Sequence, residues 1–335
     1  MRLGLVGAGR IGAMHAEILR GLDGVDELVI TDADPQRAAE VAGKLGAAQV
    51  DSVATLLASG LDGLVIAAAT DAHPELIVKA VEAGIPAFCE KPVASDIGET
   101  VRVLRRVADA DVPVHIGFQR RFDPGYASAR AAVVSGELGW VHTLRATTLD
   151  PAPPPAAYIP TSGGLFRDCS VHDFDIIRWV SGQEVSEVYA VGVNRGDDFI
   201  RAAGDVDTLG AVLTLADDTI ALVSATRYNA AGYDVRLEVM GSRQSLAVGL
   251  DERMPLRSAE AGTAWPAGPA YATFIERFQP AYVAELRAFV ASVHGMPTQA
   301  CTVADALAAS YVAEACELSR REHRPVRLAE VRQEP

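Results

Sequence analysis

The chain has 335 residues, 49% of them apolar and 22% charged, with 44 acidic against 30 basic side chains and a net charge of −14. The length suggests two domains, and the composition excludes a disordered chain. The excess of acid argues against nucleic acid or an anionic membrane surface as a partner.

The first 120 residues alternate between short apolar runs and amphipathic stretches. "RLGLVG" precedes a helical segment with Ile11, Met14, Ile18 and Leu19 at helical spacing. "ELVITD" precedes "DPQRAAEVAGKL", "GLVIAAA" precedes "PELIVKAVEAG", "IPAFCE" precedes "IGETVRVLRRVADA", and "VPVHIGF" closes the series. Such alternation predicts βαβ units and a doubly wound parallel sheet, over residues 1–121. Beyond Arg121 the rhythm changes. A strand-like "WVHTLRATTL" leads into the proline-rich "DPAPPPAAYIP" and then into one helix carrying Asp168, His172, Asp173 and Asp175. Strand-like runs follow at Val185–Val193, Thr208–Leu215, Thr219–Thr226, Val235–Met240 and Ser245–Val248, with turn residues at Asp217-Asp218 and Gly241-Ser242. Two helices, near Ala281–Val293 and Val303–Arg320, close the chain. Residues 122–335 therefore read as an α+β domain with an open, mostly antiparallel sheet and helices on one face.

Cys89, Cys169, Cys301 and Cys316 are far apart, with no C-x-x-C spacing. Each is expected as a small buried hydrophobe, with no metal site and no disulfide framework. No apolar stretch reaches spanning length, and Gly4, Gly7, Gly9 and Arg10 interrupt any leader-like segment. A cytoplasmic protein without membrane contact is expected.

Three local patterns carry chemistry. Gly7-Ala8-Gly9-Arg10-Ile11-Gly12 reads G-x-G-x-x-G between a strand and a helix. Gly7 permits the turn, Gly9 lets a pyrophosphate approach the backbone, and Gly12 lets the helix pack on the strand, with the helix N-terminus facing the phosphates. Asp32, 20 residues after Gly12, is the acid expected on the adenosine ribose. A carboxylate there repels a 2′-phosphate, so NAD is favoured over NADP, with Arg37 as the opposing consideration; Asp34 before Pro35 suits a helix cap. In the second pattern, Glu90, Lys91 and Pro92 stand at the carboxyl end of a strand, where open α/β sheets bind ligands. By position alone, Lys91 could equally be a solvated surface charge. In the third, helical spacing puts Asp168, His172 and Asp175 on one stripe, where a carboxylate could orient an imidazole that takes a proton near neutral pH. An ordinary hydrogen-bonded histidine stays open as the alternative. Asp173 is expected to face solvent, Asp175 to pair with Arg178 or tie down a loop, and Cys169 to be structural.

Taken together, the glycine loop, "EKP" at Glu90–Pro92, "GFQRRFDPGY" at Gly117–Tyr126 and "DCSVHDFDIIRW" at Asp168–Trp179 resemble the glucose–fructose oxidoreductase / inositol dehydrogenase (Gfo/Idh/MocA) family, and within it the myo-inositol 2-dehydrogenase branch. "AAGYDVRLEVMGS" and "ERFQPAYVAELRAF" extend the likeness over nearly the whole chain. The resemblance implies a Rossmann domain with Glu90 and Lys91 beside the cofactor, a larger substrate-binding domain that assembles tetramers, and oxidation of a polyol or sugar hydroxyl. It implies Lys91, Asp168 and His172 as the catalytic set, and Arg121, Tyr233 and Tyr282 as substrate contacts, whose bland alternatives are a surface arginine and two core or interface tyrosines. Many inositol dehydrogenases read His-Arg-Asn-Pro on the strand before the catalytic helix, whereas Thr148-Leu149-Asp150-Pro151 stands here. Asp150 is therefore expected on the substrate, beside a proline-rich loop that borders the pocket. A dehydrogenase of scyllo-inositol or another sugar, and a catalytically silent NAD-binding sensor, remain as alternatives.

Overall fold

The computed structural model describes residues 1–108, 110–266 and 268–333. Two units separate by their internal packing: residues 1–119, 280–307 and 333 form one, and residues 120–279 and 308–332 form the other.

The first unit contains β1 (Arg2–Val6), α1 (Arg10–Arg20), β2 (Glu27–Thr31), α2 (Pro35–Leu45), β3 (Ala48–Gln49), α3 (Val53–Leu57), β4 (Gly63–Ile66), α4 (His73–Glu82), β5 (Ala87–Glu90), α5 (Ile97–Ala108) and β6 (Val114–Gly117). Its sheet runs β3-β2-β1-β4-β5-β6, with every pairing parallel. This is the expected Rossmann order, with the switch in strand direction of winding at β1/β4. The short elements β3 and α3 were not expected. β3 has two exposed residues and no apolar alternation to reveal it. Leu3, Leu5, Leu28, Ile30, Val65 and Phe88 are buried in the core.

The second unit contains α6 (Pro124–Val134), β7 (Val141–Leu149), α7 (Leu165–Asp168), α8 (Val171–Ser181), β8 (Val185–Val193), α9 (Asp198–Ala202), β9 (Thr208–Leu215), β10 (Ile220–Thr226), β11 (Asp234–Gly241) and β12 (Ser245–Val248). Helices α10 (Phe274–Val293) and α11 (Val303–Glu322) each contribute to both units, and β13 (Val326–Arg327) belongs to the second. The seven strands run β12-β11-β7-β10-β9-β8-β13 and only β7/β10 is parallel, so the sheet is large and mostly antiparallel as expected. Alternation along β9 and β10 buries one face. The opposite face exposes Tyr189, Val191, Val193, Val212 and Ile220, each between 42% and 52%.

From Pro280 onward α10 belongs to the first unit. There Leu286, Phe289 and Val290 join the core of β1, β2 and β5, and Phe289 packs against Phe88 and His115 with ring centroids 6.0 and 5.7 Å away. Among the described residues, no helix is long and apolar enough to cross a membrane.

Candidate active site

In the first unit the glycine loop fits a dinucleotide. Gly7 has φ +96°, and a Cβ there would lie 2.5 Å from the Ala67 carbonyl at the end of β4. A Cβ on Gly12 would lie 1.9 Å from the Gly7 oxygen, so only glycine lets α1 approach β1 this closely. Around Gly9 there is open space. Gly9 caps α1 without a side-chain bond, and the partial positive charge of the helix N-terminus suits an anion. Asp32 braces the loop: Oδ2 accepts from the Ala8 amide at 2.6 Å and Oδ1 from the Asp34 amide at 2.8 Å. Arg37, half-exposed, lies 3.4 Å from both Asp32 and Asp34. Asp34 caps α2, accepting from the Gln36 and Arg37 amides.

Glu90 ends β5, and the half-buried Lys91 follows at the carboxyl edge of the sheet. The Lys91–Pro92 peptide is cis. Buried His15 of α1 meets Glu90, Nε2 to Oε1, at 2.6 Å, and its ring packs edge-on against Phe88 and Tyr282. Tyr282, expected as a substrate contact or a core or interface tyrosine, is buried in this unit.

In the second unit the expected single helix is two. α7 ends at Asp168 and α8 starts at Val171. Across the break the His172 amide donates to the Cys169 carbonyl at 3.2 Å, a tighter i→i−3 bond. Gly163 and Gly164, both with positive φ, turn the chain into α7, where Asp205 accepts from the Leu165 amide at 2.9 Å.

The Asp168 carboxylate is nonetheless fixed. The Tyr158 hydroxyl donates to Oδ1 at 2.9 Å, and both terminal nitrogens of Arg227 lie 3.3 Å from Oδ2. Tyr158 belongs to the segment that follows the prolines, and burial, with Asp168 beside it, pushes its phenol upward. Arg227 is fully buried, also lies 3.6 Å from Asp205, and is held cationic by these acids against the cost of burial. Asp150 joins the cluster through the Cys169 thiol, which points at Oδ2 from 3.6 Å; burial raises the Asp150 carboxyl while Arg227 opposes the rise. Cys169 is half-buried here, unlike the other three cysteines. Neither Tyr158 nor Arg227 was singled out from sequence. The only local signal for Arg227 is a basic residue directly after an apolar strand, and its acids lie 59 and 22 positions earlier.

The acids of α8 are ion-paired, with partners other than those expected. Asp173 is fully buried and does not face solvent: it accepts from Arg120 at 2.6 Å and from the Thr148 hydroxyl at 2.7 Å. Asp175 pairs with Arg121 through two bonds of 2.9 and 2.6 Å, and Arg178 turns to Glu184. Arg121 is thus a buried partner of Asp175, with Trp179 beside its guanidinium. Tyr233 is buried edge-on to Phe274 and Phe278. His172 is half-buried in the first turn of α8.

Residues 1–118 match the oxidoreductase family with an NAD-binding Rossmann fold, and residues 126–247 match the GFO/IDH/MocA C-terminal domain. The chain is 36% identical to the myo-inositol 2-dehydrogenase of Thermotoga maritima, over 99% of each chain. A myo-inositol dehydrogenase structure from Corynebacterium glutamicum superposes with TM-score 0.90 at 36% identity, over 98% of each chain. The scyllo-inositol dehydrogenase of Lactobacillus casei, with bound NAD(H) and scyllo-inositol, does so with TM-score 0.88 at 29% identity, over 98% of this chain and 99% of that one. With two domain matches in order, likeness to full-length relatives and the glycine loop in its Rossmann setting, the chain belongs to the GFO/IDH/MocA family of oxidoreductases.

Proposed function

We propose that the protein oxidises a secondary hydroxyl of a cyclic polyol to a ketone with NAD, and that myo-inositol, at its 2-hydroxyl, is the substrate. The observation that carries this reading is the fixed acid cluster of the second unit. Tyr158 and Arg227 hold the Asp168 carboxyl in place, four residues before His172. Bound NAD supplies the acceptor for the hydride that leaves the carbinol carbon. His172 takes the hydroxyl proton, Asp168 favours the resulting imidazolium, and Lys91 donates a hydrogen bond to the reacting oxygen as alkoxide character develops. General-base help of this kind is worth roughly 10²–10⁴-fold in rate. The braced Asp32 and the absence of an arginine directly after it support NAD over NADP. Asp150 replaces an amide expected in the branch and gives the polyol an acidic partner. Scyllo-inositol is the second reading, favoured by the likeness to an enzyme with that substrate.

The exposed apolar strip from Tyr189 to Ile220 supports assembly through this sheet face, with a homotetramer as the proposed form. The four free cysteines suit the reducing cytoplasm as its compartment.

The test is NAD reduction followed by absorbance with myo-inositol, scyllo-inositol and glucose, in the wild type and in His172→Ala across pH. Turnover of an inositol, with loss of the acid limb of the pH–rate profile in the variant, is the expected result. No turnover on any polyol despite NAD binding would favour a silent sensor, and an unchanged profile would remove His172 as base.

A further inference from the structure

Lys91 sits between two residues that are each held by a buried histidine. On its N-terminal side, Glu90 Oε1 meets His15 Nε2 at 2.6 Å, and His15 is fully buried in α1, the helix that opens at the glycine loop. On its C-terminal side, the Pro92 carbonyl meets His73 Nδ1 at 2.8 Å, and His73 is 1% exposed at the start of α4. The other nitrogen of His73 faces the Ala68 carbonyl, just past β4, at 3.1 Å. Ser95 adds a third tie from the same loop, donating to Asp71 at 2.6 Å. Both histidines come from sequence distant from Lys91, and each spans from a crossover helix to the corner after β5.

We infer that His15 and His73 are positioning residues that clamp the Glu90–Lys91–Pro92 corner and so fix where the Lys91 ammonium stands. The inference rests on the reading of Lys91 as a reacting residue. Glu90 as carboxylate and the Pro92 carbonyl only accept, so the proton belongs on Nε2 of His15 and, at the shorter of the two carbonyl contacts of His73 (2.8 Å to Pro92 against 3.1 Å to Ala68), on Nδ1 of His73. The two clamps therefore use opposite nitrogens. That asymmetry separates positioning from mere core filling. A glutamine amide nitrogen reaches to about where Nε2 stands, and an asparagine amide nitrogen to about where Nδ1 stands. His15→Gln and His73→Asn keep the clamping donor, whereas His15→Asn and His73→Gln lose it.

Two readouts on the full chain test this. The first is kcat and KM with myo-inositol, alongside the Kd for NAD. The second needs no turnover: the rate at which acetic anhydride labels Lys91, measured by peptide mass spectrometry. The chain has only three lysines, so Lys44 and Lys79 serve as internal standards. Misplacement of a reacting group by about 1 Å costs on the order of 100-fold in rate, so His15→Asn and His73→Gln should lower kcat by roughly 10- to 100-fold with little change in NAD affinity. His15→Gln and His73→Asn should rescue kcat to within about threefold, and only the two clamp-breaking variants should shift Lys91 labelling by about threefold or more, the worth of one hydrogen bond. The crossed pattern in labelling, without turnover of any polyol by the wild type, would uphold the clamp and sink the polyol reading. Active wild type with both amides at each position behaving alike would overturn the clamp and leave the polyol reading standing.

Discussion

Replacing Arg227 by methionine would expose the electrostatic design of the second unit. The side chain is fully buried, 3.3 Å from Asp168 and 3.6 Å from Asp205. With an effective dielectric constant near 20, each pair attracts by about 5 kcal/mol before desolvation is counted. Methionine fills much of the same volume but leaves the carboxylates without their cation, and breaking buried pairs in this way costs about 3–5 kcal/mol. The sign of the pH dependence follows. Burial already raises the Asp150 carboxyl above its unfolded value and Arg227 opposes the rise, so Arg227→Met lets it rise further and widens the pH window between the two states. The folded state then holds more protons across that window, so the variant loses stability as pH rises through it and regains it toward acid. Urea denaturation of wild type and Arg227→Met, from mildly acidic to mildly alkaline pH, measures the difference. Adding Asp168→Asn should return part of the loss, as expected for a coupled pair. A deficit below about 1 kcal/mol, typical of an exposed ion pair, or one independent of pH, would refute the reasoning.

Phe289→Ala should destabilise the Rossmann unit by about 3–5 kcal/mol, because the ring is fully buried against Phe88 and His115; a midpoint shift worth less than about 1 kcal/mol would contradict the packing. Burial pushes the His115 imidazole down to about 4 from its ordinary 6.5. The unfolded chain therefore holds the extra proton between these values, and His115 should withdraw up to about 3 kcal/mol of stability as pH falls from 6.5 to 4. Comparison with His115→Phe, which cannot charge, should show a flatter acid limb in the variant. Gly12→Ala should weaken NAD binding at least tenfold by calorimetry, since the new methyl would stand 1.9 Å from the Gly7 carbonyl oxygen and backbone must move; unchanged affinity would refute the close-packing role.

What could be read from sequence is what local physics determines. The close packing of Gly12 on Gly7 and the Asp34 cap are set by residues a few positions apart, and both are present. The parallel and antiparallel sheets followed from the change in periodicity after Arg121. Features set by distant partners were hidden. Helical spacing read Asp168 through Asp175 as one helix, whereas the chain divides it at Cys169–Ser170. Asp173 was read as exposed because nothing nearby shows Arg120 arriving from 53 positions away. Arg227, Tyr158 and the return of α10 to the Rossmann core depend on tertiary packing that no single segment announces.

The most direct test is to supply myo-inositol deuterated at carbon 2, in excess NAD, and follow the label by mass spectrometry. The account predicts deuterium on the reduced cofactor and a ketone in equal amount, with both falling at least a hundredfold in Lys91→Met and in His172→Ala. Label retained on the polyol, or transferred equally well by both variants, would contradict it.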